Sequence, residues 1–213
     1  MGGFAGLRRA CAAFSIAVVA ALPGLAQAQG ADALKAVLAD PAKRAAAAEA
    51  GRKIAAFCAN CHGDSGVSKQ GEVPNLAGQN PAYLFEQIRK FGSGERKDAF
   101  MQGLIKVLKE DERIAVTAYY AGNEVPAGKG NAPQVAAGRE TFRRLCQRCH
   151  GEQGHGADTI PRLAGQQVEY LKRSITRYRD KSGERIFPLM QIATAALKDE
   201  DIAALAQFLN ALP

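Results

Sequence analysis

Apolar residues recur at helical spacing in several stretches of this chain, and no stretch alternates apolar and polar positions with a period of two. The spacing predicts a helix over about 43–58 and another over about 134–146, each leading into a cysteine motif. A second pair starts at Pro81 and Gln167 and runs through Tyr83-Leu84 and Tyr170-Leu171. A third spans about 110–121 and 199–211, opening on the acidic runs Glu110–Glu112 and Asp199–Asp201, whose charge suits a helix N-terminus. The expected class is all-α.

One apolar run is of another kind. Arg8 and Arg9 precede an uncharged stretch from Ala10 to Leu22, broken by Pro23-Gly24 and followed by the small-x-small triplet Ala26-Gln27-Ala28. That order reads as a secretory signal peptide over residues 1–28, cleaved after Ala28. At about 13 residues the run falls short of the ~18 that a membrane span needs. Cys11 lies inside it, so the mature chain would keep four of five cysteines: Cys58, Cys61, Cys146 and Cys149.

The predicted helices come in pairs because the chain is written twice. Phe57-Cys58-Ala59-Asn60-Cys61-His62-Gly63 returns as Leu145-Cys146-Gln147-Arg148-Cys149-His150-Gly151. Pro74-Asn75-Leu76-Ala77-Gly78-Gln79 returns as Pro161-Arg162-Leu163-Ala164-Gly165-Gln166. Gly94-Glu95-Arg96 and Met101 return as Gly183-Glu184-Arg185 and Met190. The offset drifts only between 87 and 89 residues, as small loop insertions would produce. Two domains follow, 29–125 and 126–213, with a linker read over the Gly- and Pro-rich stretch Gly122–Gly138. Residues 31–48 have no second copy and are expected to add a short helix or two to the first domain.

Composition changes the picture in one respect. The chain lacks Trp and is sparse in aromatics, so a core of this size needs another apolar body, and a buried porphyrin would serve. An exported protein with four cysteines would ordinarily suggest two disulfides. Here, however, each pair is a Cys-x-x-Cys-His. In that motif two thiols add to the porphyrin vinyl groups as thioethers, and the adjacent imidazole lies beneath the ring to ligate iron. A redox-active cysteine pair would need a βαβ setting, and zinc would need four N or S ligands per site. Disulfides do not account for His62 and His150, and pooling the Cys and His of both motifs on one metal is at odds with the domain duplication. The expected cofactors are two covalently attached haem c groups, held by Cys58 and Cys61 in one domain and by Cys146 and Cys149 in the other.

The mature chain has two methionines, Met101 and Met190, one per repeat and in register, about 40 residues after His62 and His150. They are the candidate sixth ligands, a choice that stabilises ferrous iron and fills both axial positions. His155 competes at the second site but sits in a Gly-rich loop opposite Val67 of the first repeat, and reads as a loop histidine. Pro74 and Pro161 follow the axial histidines by 12 and 11 residues. Their backbone carbonyls are candidate acceptors for the second imidazole nitrogen, which would fix ring orientation and ligand basicity.

With these residues in place, the chain from about residue 50 to 213 resembles the dihaem class I cytochromes c known as cytochrome c4. The resemblance rests on the paired Cys-x-x-Cys-His motifs, the paired Pro-x-Leu-Ala-Gly-Gln segments and the paired methionines. It implies two tandem cytochrome c domains related by a pseudo-two-fold axis and axial pairs His62/Met101 and His150/Met190. It further implies a periplasmic electron carrier between a quinol-oxidising complex and a terminal oxidase. An electron-transfer subunit of a dehydrogenase or oxidase, or a dihaem peroxidase, is the alternative. No catalytic residue or small-molecule substrate is expected of iron with both axial positions filled, and no nucleic-acid partner, since no binding motif accompanies the net charge. That charge is concentrated in the second repeat: 13 basic and 9 acidic side chains from residue 129 onward, against 13 and 12 over 29–128. The cluster Lys172, Arg173, Arg177, Arg179 and Lys181 is either a solvated helix face or a docking patch for an acidic redox partner.

Overall fold

A computed structural model describes residues 1, 2 and 23–213. The expected leader falls mainly outside the described residues. Its last six positions, Pro23–Ala28, open the first helix, α1 (Pro23–Ala39).

After α1 the same five helices occur twice. The first set is α2 (Pro41–Ile54), α3 (Ala59–His62), α4 (Pro81–Ser93), α5 (Ala99–Ile105) and α6 (Glu110–Ala121). The second is α7 (Ala132–Leu145), α8 (Gln147–His150), α9 (Val168–Arg179), α10 (Pro188–Thr194) and α11 (Asp199–Ala211). No β-strand forms among the described residues, which establishes the all-α class, and none of their helices is long and apolar enough to cross a membrane.

The two long helices at the ends of each domain, α2 with α6 and α7 with α11, form its main packing pair. They cross at a glycine. A Cβ built on Gly51 would collide with the Ala115 carbonyl oxygen, and one on Gly138 with that of Ala204. Absence of a side chain is what lets the backbones approach so closely. Around the second crossing, Phe142, Leu171, Ile202, Leu205, Phe208 and Leu209 make the core of the second domain. In the first domain Ala55, Leu84, Val116 and Tyr120 do the same.

The linker is shorter than the composition suggests. Ala132–Gly138, read as linker, is the first half of α7: Pro133 sits in its first turn, where a missing N–H costs nothing, and Gly138 marks the helix crossing. What remains is laid against α11, with Gly128 N donating to Asn210 O and Asn131 N to the Gln207 side chain.

The domains face each other through the two Pro-x-Leu-Ala-Gly-Gln segments. Gln79 donates to Arg162 O (2.9 Å) and accepts from Arg162 N (2.7 Å). Gln166 does the same to Asn75, donating to its O (2.9 Å) and accepting from its N (2.7 Å). Since Gln79 corresponds to Gln166 and Asn75 to Arg162, the exchange is reciprocal, the signature of a two-fold contact. Asn80 bonds His155 O and Ile160 O, and its counterpart Gln167 bonds Ser68 O, which completes the pattern.

Candidate haem-binding sites

Each Cys-x-x-Cys-His motif winds into a single helical turn at the end of a long helix. In the first, the amides of Cys61 and His62 both turn back to Cys58 O (3.2 and 2.9 Å); in the second, Cys149 and His150 turn back to Cys146 O (3.2 and 3.0 Å). That turn gathers two thiols and one imidazole on a short stretch of backbone. Gly63 and Gly151 then reverse the chain at φ of 79° and 76°, a conformation open to glycine at no steric cost.

Both histidines are buried, and both direct Nδ1 to the backbone carbonyl named from the sequence. His62 Nδ1 lies 2.9 Å from Pro74 O, and His150 Nδ1 lies 3.1 Å from Pro161 O. A carbonyl can only accept, so Nδ1 carries the proton and Nε2 keeps its lone pair for a metal. Burial lowers the proton affinity of both rings, against an opposing pull from the proline carbonyls, and favours the neutral ligand form.

Among the described residues, no disulfide links the four motif cysteines. Burial pushes the Cys58 thiol up and the Cys146 thiol up to about 11, so both sulfurs are set in largely apolar surroundings. Among the described residues, no group of three or more His, Cys, Asp or Glu side chains is placed to hold a metal ion. The donor chemistry of each site is instead two thiols and a lone imidazole, which fits a haem attached by thioethers and ligated from one face.

The methionines stand apart from these turns, on the short helices packed against α4 and α9. Each is the third residue of its helix, Met101 in α5 and Met190 in α10, and each is half-buried. Asp98 caps α5 by accepting from Met101 N (3.0 Å), whereas α10 starts on Pro188. Neither helix was expected from the pattern. His155 is exposed, with Nε2 2.8 Å from Pro213 O, far in character from the buried motif histidines.

The basic cluster is largely spent on internal bonds. Lys172 pairs with Glu169, Arg177 with Glu184, and Arg179 with Asp180 and Asp199, while Arg173 donates to Glu72 O of the first domain. The sequence could not show this, because Glu72 and Asp199 are distant along the chain.

Comparison with known proteins agrees with this geometry. The family described as cytochrome c matches residues 135–213, and that described as cytochrome c oxidase, cbb3-type, subunit III matches 45–119. Cytochrome c4 of Pseudomonas aeruginosa is 32% identical over 177 residues, covering 78% of this chain and 88% of that protein. The thiosulfate dehydrogenase electron acceptor of Stutzerimonas stutzeri is 31% identical over 208 residues, 91% of this chain and 92% of its own. Among solved structures, reduced recombinant cytochrome c4 from Pseudomonas stutzeri superposes with a TM-score of 0.74 at 28% identity, covering 78% of this chain and 98% of that one.

Proposed function

The chain belongs to the cytochrome c4 family, a dihaem electron carrier with covalently bound haem c, and from that premise we propose that it works in the periplasm between a quinol-oxidising complex and a terminal oxidase. The domains are 29–125 and 126–213, after a leader over 1–28. Cys58 and Cys61, and Cys146 and Cys149, form the thioether links. His62 and His150 would hold the iron through Nε2, and Met101 and Met190 would hold it through their thioethers.

Haem iron so held supplies a one-electron ferrous–ferric couple. The protein's own part is to hold the ligands still. Pro74 O and Pro161 O fix each imidazole, Asp98 fixes the turn that carries Met101, and the reciprocal glutamine bonds hold the two domains in one relation. Iron held by both a His and a Met side chain would leave no position for a substrate, which favours carrier over peroxidase.

The observation that carries this reading is the duplicated imidazole-to-proline-carbonyl bond in two domains locked face to face. The test is a haemochrome assay with a spectroelectrochemical titration of the intact protein. Two haems per chain, two one-electron waves and a methionine-to-iron charge-transfer band at each centre are expected. Turnover of peroxide would overturn it.

A second donor is favoured by a specific observation. The relative named as an electron acceptor of thiosulfate dehydrogenase aligns over 91% of this chain. Rapid-mixing reduction by a thiosulfate dehydrogenase with thiosulfate, set against reduction by a quinol-oxidising complex, separates the two donors by rate.

A further inference from the structure

The two helices that carry the methionines are entered from loops that meet at the domain boundary. In the first domain the chain leaves α4 at Ser93 and enters α5 through Asp98, which accepts from Met101 N (3.0 Å). In the second it leaves α9 at Arg179 and enters α10 through Phe187, whose carbonyl accepts from Gln191 N (3.1 Å). One backbone bond ties these loops to each other. Lys97 N, beside the cap of α5, donates to Glu184 O, three residues before Phe187 (3.0 Å).

Side chains close the same junction from both sides. Arg96 donates to the Tyr170 hydroxyl of the second domain (3.2 Å), and Arg185, which is buried, to the Tyr83 hydroxyl of the first (2.6 Å). Arg96 and Arg185 are repeat equivalents, and Tyr83 and Tyr170 are each the third residue of α4 and α9. The exchange therefore follows the same pseudo-two-fold as the glutamines. Tyr170 is itself set against the first domain, its N–H donating to Gly71 O (3.0 Å).

Each loop is also tied to its own domain, but those ties stop short of the methionine helix. Arg96 N returns to Lys90 O (3.0 Å) and the Arg96 guanidinium reaches Gln87 (3.0 Å); at the next residue, Lys97, the backbone bond goes to the other domain. In the second loop Arg177 holds the Glu184 carboxylate, and Arg185 bonds Tyr170 and Ser174 (3.1 Å each). The Glu184 carbonyl and the remaining Arg185 bond belong to the first domain's Lys97 and Tyr83. Helices of 7 residues cannot keep their place by their own hydrogen bonds, so the positions of Met101 and Met190 depend on what fixes the loops leading into them.

We propose that this junction is a clasp that couples the two axial methionines across the domain boundary. Tyr83 and Tyr170 are its positioning residues, each steadying the methionine of the domain to which it does not belong. By linkage, whatever strengthens methionine ligation at one centre strengthens it at the other. The inference rests on the reading of Met101 and Met190 as iron ligands.

The test uses the intact holoprotein and its Tyr83→Phe, Tyr170→Phe and Met190→Ala variants. Tyr119→Phe is the control, since it removes a hydroxyl bonded within the first domain, to Asp64 O (2.7 Å). Proton NMR of the oxidised protein follows the shifted methyl signals of the two ligating methionines, assigned by the loss of one in Met190→Ala, while imidazole is added to displace them. An unsubstituted protein without two such signals would refute the ligand reading itself. Tyr83→Phe is expected to lower the imidazole concentration that half-displaces Met190 by about three- to tenfold, the share of a charge-assisted hydrogen bond that reaches the ligand. Tyr170→Phe is expected to do the same to Met101, and Met190→Ala to ease displacement of Met101 by reciprocity. Tyr119→Phe is expected to leave both unchanged. Either tyrosine variant carries the test should the other fail to fold. With both signals present in the unsubstituted protein, an effect confined to the substituted domain, no effect, or one matched by Tyr119→Phe overturns the proposal.

Discussion

Gln166→Ala probes the interface at the point where the structure makes the largest claim on it. The Gln166 side-chain amide acts as a length of backbone for the other domain, satisfying both the N–H and the C=O of Asn75, a residue that is 6% exposed. It also accepts from Gln167 N (2.9 Å). Alanine removes the partner of two buried backbone groups, each worth about 1–3 kcal/mol when left unmade. Water entering the gap recovers part of this, so about 2–4 kcal/mol is expected. The equivalent change at Gln79 exposes Arg162 in the same way. Because both glutamines close one interface, the double variant should cost less than the two singles together, with a coupling of about 0.5–3 kcal/mol. Urea unfolding followed by circular dichroism gives the three values, and amide exchange at Asn75 reports the bond directly. A Gln166→Ala protein with an unchanged unfolding midpoint and an equally protected Asn75 amide would refute the account.

Gly138→Ala should destabilise by about 1–3 kcal/mol through overpacking against the Ala204 carbonyl. At an open helical site the same change would gain about 0.5–1 kcal/mol, so a raised melting temperature would disprove the close crossing. Met190→Ala should lower the second centre's potential and let one equivalent of carbon monoxide bind per reduced chain; absence of binding would remove Met190 as a ligand. Glu95 is held down to about 2, chiefly by its hydrogen bonds to Arg89, so its contribution is present above the ordinary carboxylate range and is lost as pH falls from about 4.5 towards 2. Glu95→Gln should flatten the acid limb of stability over that window by less than about 1 kcal/mol, the pair being largely solvated, and an acid limb as steep as the parent's would refute it.

The features that could be read from sequence are those whose cause is local. The Cys-x-x-Cys-His turn contains its own geometry, and the paired acidic runs mark the starts of α6 and α11 because a helix end acts on the residues beside it. Where the cause is a distant residue, the reading fails. Gly138 reads as the end of a linker until Ala204 is brought beside it. The helices α5 and α10, each 7 residues long, are too short to show a period. Asp98, three residues before Met101, was the one available signal, as an N-cap. Gln79 and Gln166 stood out as repeat markers, yet nothing near them in sequence indicates a partner across a domain boundary. The cations of α9 could be read as a patch or as a solvated face, because Glu72 and Asp199, which engage Arg173 and Arg179, lie far off along the chain.

Duplication also explains the one element that is not duplicated. Leu34, Val37 and Leu38 of α1 pack on Phe85 of α4 and Ile114 of α6. The repeat equivalents of Phe85 and Ile114 are Lys172 and Ala203, one charged and paired with Glu169, the other small. The first domain therefore carries an apolar face that the second lacks. Burying side chains of this size is worth about 1.5–3 kcal/mol each, which is sufficient reason for a covering helix. The same position answers the question that residues 31–48 raise. Residues 31–39 belong to α1 and lie against α4 and α6, residues 41–48 are the first half of the duplicated helix α2, and the interdomain bonds are made by the segments from Ser68 to Lys97 and from His155 to Arg185. The extra helix completes the packing of one domain and leaves the pseudo-two-fold contact between the redox sites as the repeat made it.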